Sequence, residues 1–134
     1  MENDDIESIR KKMAEKLLSG VDTKTTKPSG PVDLTDSTFV NFVKSPKVTM
    51  VDFWAPWCAP CRFVSPVVDE LSKQYSTVAN FGKVNVDDNP MVSSTFRIQS
   101  IPTIMFFKNG KAVDVSIGAV PKALLERKLK ALIQ

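Results

Sequence analysis

Two cysteines, Cys58 and Cys61, are the residues of this chain best suited to chemistry, and the chain contains no others. They are separated by Ala59 and Pro60 and follow an apolar run, a pattern typical of a CxxC redox pair at the start of a helix. Side chains three residues apart in a helical turn lie close enough to form a disulfide. Because the closed ring is short, the bond constrains the unfolded chain little. The spacing therefore predicts a switchable dithiol/disulfide centre and not a structural crosslink.

The position of each sulfur predicts its role. Proline is favoured in the first turn of a helix, so Pro60 indicates that Cys58 lies near the N-cap. Free backbone N–H groups and the positive end of the helix dipole favour a thiolate there, and the thiolate is the attacking species in thiol–disulfide exchange. We therefore expect Cys58 to be the nucleophile and Cys61, one turn further into the helix, to be the resolving thiol.

One carboxylate, Asp52, interrupts the apolar run that precedes the cysteines. Residues 48–54 have the nearly continuous apolar character of a central strand that is covered on both faces. Burial there would raise the pKa of the carboxyl group, and Asp52 would be near enough to Cys61 to relay a proton, directly or through water. The alternative is a carboxylate at a strand edge that reaches solvent.

The composition narrows the class of protein. A length of 134 residues, with 43% hydrophobic and 25% charged residues, is typical of one globular domain with a sizeable core. The net charge of +3 is not concentrated in basic clusters, so we expect no nucleic-acid partner. No segment has the pattern of a signal peptide or the length to cross a bilayer, and both cysteines belong to one redox motif. We therefore expect a cytoplasmic protein that does not bind membranes.

The chain contains no histidine. This excludes catalysis by a Cys–His pair, and two thiolates are too few ligands to hold a metal within one chain. We expect no metal and no cofactor. A metal or iron–sulfur cluster shared between two subunits remains an alternative, in which the protein would be a binding module and not an enzyme.

The remaining elements are predicted from hydrophobic periodicity and from Gly and Pro positions. Residues 5–18 favour an amphipathic helix, which either packs on the domain or docks a partner, and a linker follows it. We therefore divide the chain into residues 1–30 and a domain at residues 31–134. The predicted strands are 31–34, 48–54, 79–87, 103–107 and 112–117. The predicted helices begin with an N-cap at Thr35 or Asp36, after Cys58, near residue 90 and at Pro121.

The segment VDFWAPWCAPC at residues 51–61 resembles the active-site signature of the thioredoxin family. The segments KVNVDDNP, FRIQSIPTIMFFKNG and SIGA resemble the other landmarks of that family, in the same order. The resemblance covers residues 31–134 and implies an α/β thioredoxin fold, with a central mixed sheet of about five strands flanked by helices on both faces. Ala59 is a departure, because most thioredoxins have glycine before the active-site proline, and this dipeptide affects the redox potential within the family.

The resemblance implies a thiol–disulfide oxidoreductase that reduces client proteins and is re-reduced by a thioredoxin reductase. We expect it to be a monomer. It also implies that Asp52 relays protons for Cys61, that Lys83 tempers the rise in the pKa of Asp52, and that the bond before Pro102 is cis. The expected client-binding surface comprises Trp57, Ala59, Pro60, Ile101, Pro102, Gly118 and Ala119. An oxidant or isomerase of the same fold is a second alternative, although oxidising members of the family more often carry a histidine between the cysteines.

Overall fold

The structure is a computed structural model that describes residues 30–133. The predicted helix at 5–18 and nearly all of the linker lie outside the described residues. The elements of the described part are β1 (Val32–Leu34), α1 (Phe39–Val43), β2 (Val48–Trp54), α2 (Ala59–Gln74), β3 (Ala79–Asn85), α3 (Pro90–Thr95), β4 (Thr103–Lys108), β5 (Lys111–Ile117) and α4 (Lys122–Ile133). Every strand and helix predicted within this range is present.

The five strands form one mixed sheet in the order β1-β3-β2-β4-β5. β1 and β2 run parallel to β3, whereas β4 runs antiparallel to both β2 and β5. β2 therefore lies in the middle of the sheet, and its first six residues are buried. This confirms the predicted α/β fold, and it explains why residues 48–54 lack the alternation of a half-exposed strand.

Helices cover both faces of the sheet. On one face, α2 and α4 bury Val68 and Leu125 against Met50 of β2. On the other face, α1 contributes Phe39, whose ring lies edge-on to that of Phe107 with the centroids 5.3 Å apart. Burial of each such large side chain stabilises the fold by about 1.5–3 kcal/mol. The two layers hold β2 between them, and β2 leads directly into the cysteine motif.

A glycine in β3 allows close packing on the α1 face. A Cβ atom added to Gly82 would lie 2.6 Å from Cδ1 of Leu34, which is itself buried. Any larger residue at position 82 therefore requires Leu34 to move.

The N-cap predicted for the first helix was wrong. The N-cap of α1 is Thr38 and not Thr35 or Asp36. The backbone N–H of Thr35 donates to Oγ1 of Thr38 at 2.9 Å. The carboxylate of Asp36 instead accepts the backbone N–H groups of Met91 and Val92, at 3.3 and 2.8 Å, in the first turn of α3. Asp36 thus caps a helix more than fifty residues away.

The outer strand β5 has side chains bonded to its backbone. The N–H of Val115 donates to Oδ1 of Asp114 at 2.8 Å, and its carbonyl accepts from Nζ of Lys128 at 3.0 Å. Lys128 also forms an ion pair with Asp114 at 3.1 Å. Both backbone polar groups of Val115 are thus satisfied within the chain. Of the helices between residues 30 and 133, none has the length and apolar character needed to cross a membrane.

Candidate active site

The two cysteines lie where β2 passes into α2. Cys58 is the N-cap of α2, and its Sγ accepts the backbone N–H of Cys61 at 3.2 Å. The extended backbone at Cys58 (φ −88°, ψ 108°) and Pro60 in the first turn are features that favour a helix start. The Sγ atoms form a disulfide, with the two Cα atoms 5.3 Å apart. The predicted position of Cys58 is confirmed.

Both cysteines are largely covered in this oxidised state. Cys58 is 3% exposed and Cys61 is 4% exposed. They pack against Ala55 and Ile101, and Sγ of Cys58 lies 3.7 Å from the carbonyl oxygen of Ile101. The sequence did not indicate this burial. Access to the disulfide is therefore controlled by the side chains around it.

The residues that surround the disulfide form its rim, and Trp57 lies on one side of this rim. Its side chain is 68% exposed, and its Nε1–H donates to Oδ2 of Asp87 at 2.9 Å. Ala59 and Pro60, on the other side of Cys58 in sequence, are also exposed. Sequence analysis missed Asp87, which orients the indole ring. The available signal was the pair of acidic residues that follows shortly after β3.

The opposite side of the rim is built from two loops. The bond between Ile101 and Pro102 is cis, as predicted. The carbonyl of Pro102 accepts the N–H of Gly118 at 2.8 Å, which joins the loop before β4 to the end of β5. Gly118 has φ +93°, a conformation that favours glycine. The structure thus places Ile101 against the cysteines and joins Pro102 to Gly118 by a hydrogen bond. Pro102 is buried, and Ala119 follows Gly118 as an exposed residue.

Asp52 is buried and lines the same cavity as Cys61. It is 1% exposed, and neither carboxylate oxygen has a hydrogen-bond partner among the described residues. Burial disfavours the charged form and raises the pKa of Asp52 from its ordinary value of 3.8 to about 7; Lys83 partly opposes this rise and Asp69 adds to it. The alternative in which Asp52 reaches solvent was wrong. A carboxyl group with this pKa can both accept and release a proton near neutral pH.

Asp52 and Cys61 share a cavity of about 140 Å³. Its volume is sufficient for water molecules, which could carry a proton between the two groups. The other lining residues are Trp54, Ala55, Pro56, Arg62, Ser65 and Lys83. Arg62 and Ser65 were not identified from the sequence. Ser65 could have been, because it lies four residues after Cys61 and therefore on the same side of the helix.

Lys83 reaches this cavity from the neighbouring strand. In the parallel register of β2 and β3, Lys83 is the partner of Asp52. Its Nζ lies 3.4 Å from Oγ of Ser65 and 4.9 Å from the ring centroid of Trp54. The positive charge of Lys83 lowers the pKa of Asp52, in the direction that the sequence analysis predicted. Within residues 30–133, no group of three or more Cys, Asp or Glu side chains is arranged to hold a metal ion.

Comparisons with known proteins agree with this geometry. The sequence model of the family described as "Thioredoxin" matches residues 30–131. The chain belongs to the thioredoxin family. It is 52% identical to Thioredoxin 1 of Nostoc sp. over 103 residues, which cover 76% of this chain and 96% of the relative. It is 53% identical to Thioredoxin 1 of Synechococcus elongatus over 97 residues, covering 72% of this chain and 91% of the relative.

Two further comparisons agree with this assignment. The chloroplastic M-type thioredoxin of Spinacia oleracea is 49% identical over 94 residues, which cover 69% of this chain and 52% of that protein. A solved chain from a study of the thiol resolving mechanism in yeast mitochondrial 1-Cys peroxiredoxin via glutathione/thioredoxin systems matches with a TM-score of 0.70 and 29% identity. That match covers 76% of this chain and 95% of that chain. Membership of the thioredoxin family makes the chain a thiol–disulfide oxidoreductase that acts on disulfide-containing client proteins.

Proposed function

We propose that the chain reduces client disulfides in two exchange steps, in which Cys58 attacks and Cys61 resolves. The supporting observation is the asymmetry of the two sulfurs. Sγ of Cys58 lies at the N-cap of α2 and accepts a backbone N–H, whereas Cys61 lies beside the cavity that contains Asp52. The helix start favours a thiolate at Cys58, and the buried carboxylate supplies a base for Cys61.

The two steps balance in atoms and electrons. The Cys58 thiolate attacks one sulfur of the client disulfide, forms a mixed disulfide with it and releases the other client sulfur as a thiolate. Cys61 then loses its proton to Asp52 and attacks Sγ of Cys58, which releases the remaining client sulfur as a thiolate. Two electrons pass from the protein dithiol to the client, and the Cys58–Cys61 disulfide seen in the structure is the product.

Asp52 is proposed as the base of the second step because its pKa of about 7 matches this task. Lys83 is proposed to keep that pKa from rising further. The Asp52→Asn variant should therefore form the mixed disulfide at the wild-type rate but resolve it more slowly than the wild type above neutral pH. Stopped-flow measurement of both steps between pH 6 and 9 would test this, and an unchanged resolving step would remove Asp52 from the mechanism.

Serine variants test the assignment of the two sulfurs. Cys58→Ser should abolish reduction of a protein disulfide, because serine is not a nucleophile in thiol–disulfide exchange. Cys61→Ser should still attack but accumulate a mixed disulfide, which intact mass spectrometry detects as an adduct that dithiothreitol removes. If Cys58→Ser accumulated the adduct instead, the roles of nucleophile and resolving thiol would be reversed.

The wider context of the reaction is also proposed. We infer that a thioredoxin reductase re-reduces the disulfide, that the protein is a monomer in a reducing compartment such as the cytoplasm, and that residues 31–134 form the catalytic unit. These inferences are supported by the family membership, by the two cysteines serving one redox motif, and by the family match over residues 30–131. Coupled oxidation of NADPH with a thioredoxin reductase would test whether such a reductase re-reduces the disulfide. Trapping of mixed disulfides with Cys61→Ser in native extract would identify clients.

A further inference from the structure

An uncovered apolar surface lies on one face of β5. Val115 is 42% exposed and Ile117 is 63% exposed, and the half-buried Met105 of β4 is the cross-strand partner of Val115. Since side chains alternate along a strand, Val115 and Ile117 share a face. The intervening Ser116 is buried, and Asp114 pairs with Lys128 of α4. α4 therefore covers the opposite face, and Met105, Val115 and Ile117 form what we call the β5 patch.

The β5 patch is continuous with the rim of the disulfide. Ile117 precedes Gly118, whose N–H bonds to the carbonyl of Pro102 at 2.8 Å. The neighbouring carbonyl of Ile101 lies 3.7 Å from Sγ of Cys58. The patch therefore begins beside the loop that contacts the disulfide and continues along β5 for about 7 Å, the span of two residues in a strand.

We propose that the β5 patch extends the client-binding surface and holds apolar side chains of an extended client segment flanking the cysteine that Cys58 attacks. This rests on the proposed function of Cys58. An extended peptide presents every second side chain on one face, about 6.8 Å apart, which matches the separation of Ile117 and Val115. Strand addition at Val115 is blocked, because Asp114 and Lys128 occupy its backbone groups. The contact at Val115 is therefore made by side chains.

The small size of the patch favours a client over a second copy of the chain. A stable protein–protein interface buries about 800 Å² on each partner, far more than three side chains supply. A client in the mixed disulfide is already held covalently, so its flanking residues contact the patch at high effective concentration. A small apolar contact is then enough to discriminate between clients.

The test replaces valine by threonine, which has nearly the same shape, both in the protein and in a peptide disulfide that serves as the client. Val115→Thr keeps the shape and strand preference of valine but adds a hydroxyl group. The probes are two peptide disulfides of equal length, one with valine at alternate positions flanking the cysteine and the other with threonine at those positions. Val32→Thr is the matched control, because Val32 is 44% exposed on the other edge strand, β1. Cystamine, a disulfide with no flanking residues, reports the exchange chemistry alone.

We expect the wild-type protein to reduce the valine peptide about 3- to 10-fold faster than the threonine peptide, the factor expected for burying part of one or two apolar side chains. Val115→Thr should remove most of this preference and leave the rate with cystamine unchanged. Val32→Thr should keep the preference. Urea unfolding of each variant checks that the fold is intact.

Three results would overturn the proposal. The first is a wild-type protein that reduces cystamine but shows no preference between the peptides, which leaves the proposed function standing. The second is a preference that Val115→Thr does not alter. The third is a wild-type dimer, seen by light scattering, that Val115→Thr dissociates, because the occupant would then be a second copy. A wild-type protein unable to reduce cystamine or either peptide would instead refute the proposed function itself.

Discussion

The buried carboxylate of Asp52 should make the protein less stable as the pH rises. In the folded protein the pKa of Asp52 is raised to about 7 from 3.8. Between these two values the folded state binds more protons at Asp52 than the unfolded state, so the free energy of unfolding decreases with increasing pH. The destabilisation is absent below about pH 4 and complete above about pH 7. Asp52→Asn, which cannot ionise, should not show it.

The size of the effect follows from the pKa difference. A rise of roughly three units corresponds to about 4 kcal/mol, at about 1.4 kcal/mol per unit. At pH 8, Asp52→Asn should therefore be more stable than the wild type by up to about 4 kcal/mol. For a domain of this size, that gain would raise the midpoint of urea unfolding by about 2 M. At pH 4 the two proteins should have nearly equal stability.

Urea unfolding of the oxidised protein at pH 4, 5.5, 7 and 8.5 measures this difference. Asp33→Asn is the control, because Asp33 lies on the edge strand β1 and is exposed to water. A stability difference between Asp52→Asn and wild type that does not change with pH would refute the reasoning, since it would reflect packing and not ionisation. A difference that grows toward low pH would show that burial does not raise the pKa of Asp52.

Substitutions at three further positions test other features of the structure. Asp36→Ala should destabilise the protein by about 1 kcal/mol, because two N–H groups of α3 lose their acceptor, and Asp36→Asn should recover much of this loss in urea unfolding. Gly82→Ala should destabilise by about 1–3 kcal/mol, because the new methyl group displaces Leu34; equal stability would show that Leu34 moves freely. Lys83→Met should raise the pKa of Asp52 further and extend the stability loss to higher pH; an unchanged midpoint in an NMR titration of the Asp52 carboxyl carbon would contradict this.

The parts of the site that local rules govern could be predicted from the sequence. The N-cap position of Cys58 follows from Pro60 and from the strand before it, and both depend on neighbouring residues alone. The burial of Asp52 follows from the unbroken apolar character of β2. Strand boundaries were reproduced within two residues for the same reason, and β2 was predicted with its observed ends.

Features that depend on contacts distant in sequence could not be predicted in this way. Asp36 has the residue type of an N-cap, but no local pattern shows that its carboxylate reaches α3 and not α1. The bond from Trp57 to Asp87 joins residues thirty positions apart. The parallel register that pairs Asp52 with Lys83 likewise requires the assembled sheet. Without the resemblance to thioredoxins, Lys83 would have been one of many lysines with no assigned role.

The hydrogen bonds to the Val115 backbone have a consequence for how other chains can add to the sheet. Reduction of a client disulfide removes a crosslink from the client chain. A client that loosens as a result exposes strand edges with unpaired backbone groups. An outer strand with free amide and carbonyl groups would invite these chains to add to the sheet and start fibril-like growth. In this protein one outer strand, β1, spans three residues, and the other has a carboxylate and an ammonium group bonded across its middle. These features limit the addition of an exposed client strand to either edge of the sheet.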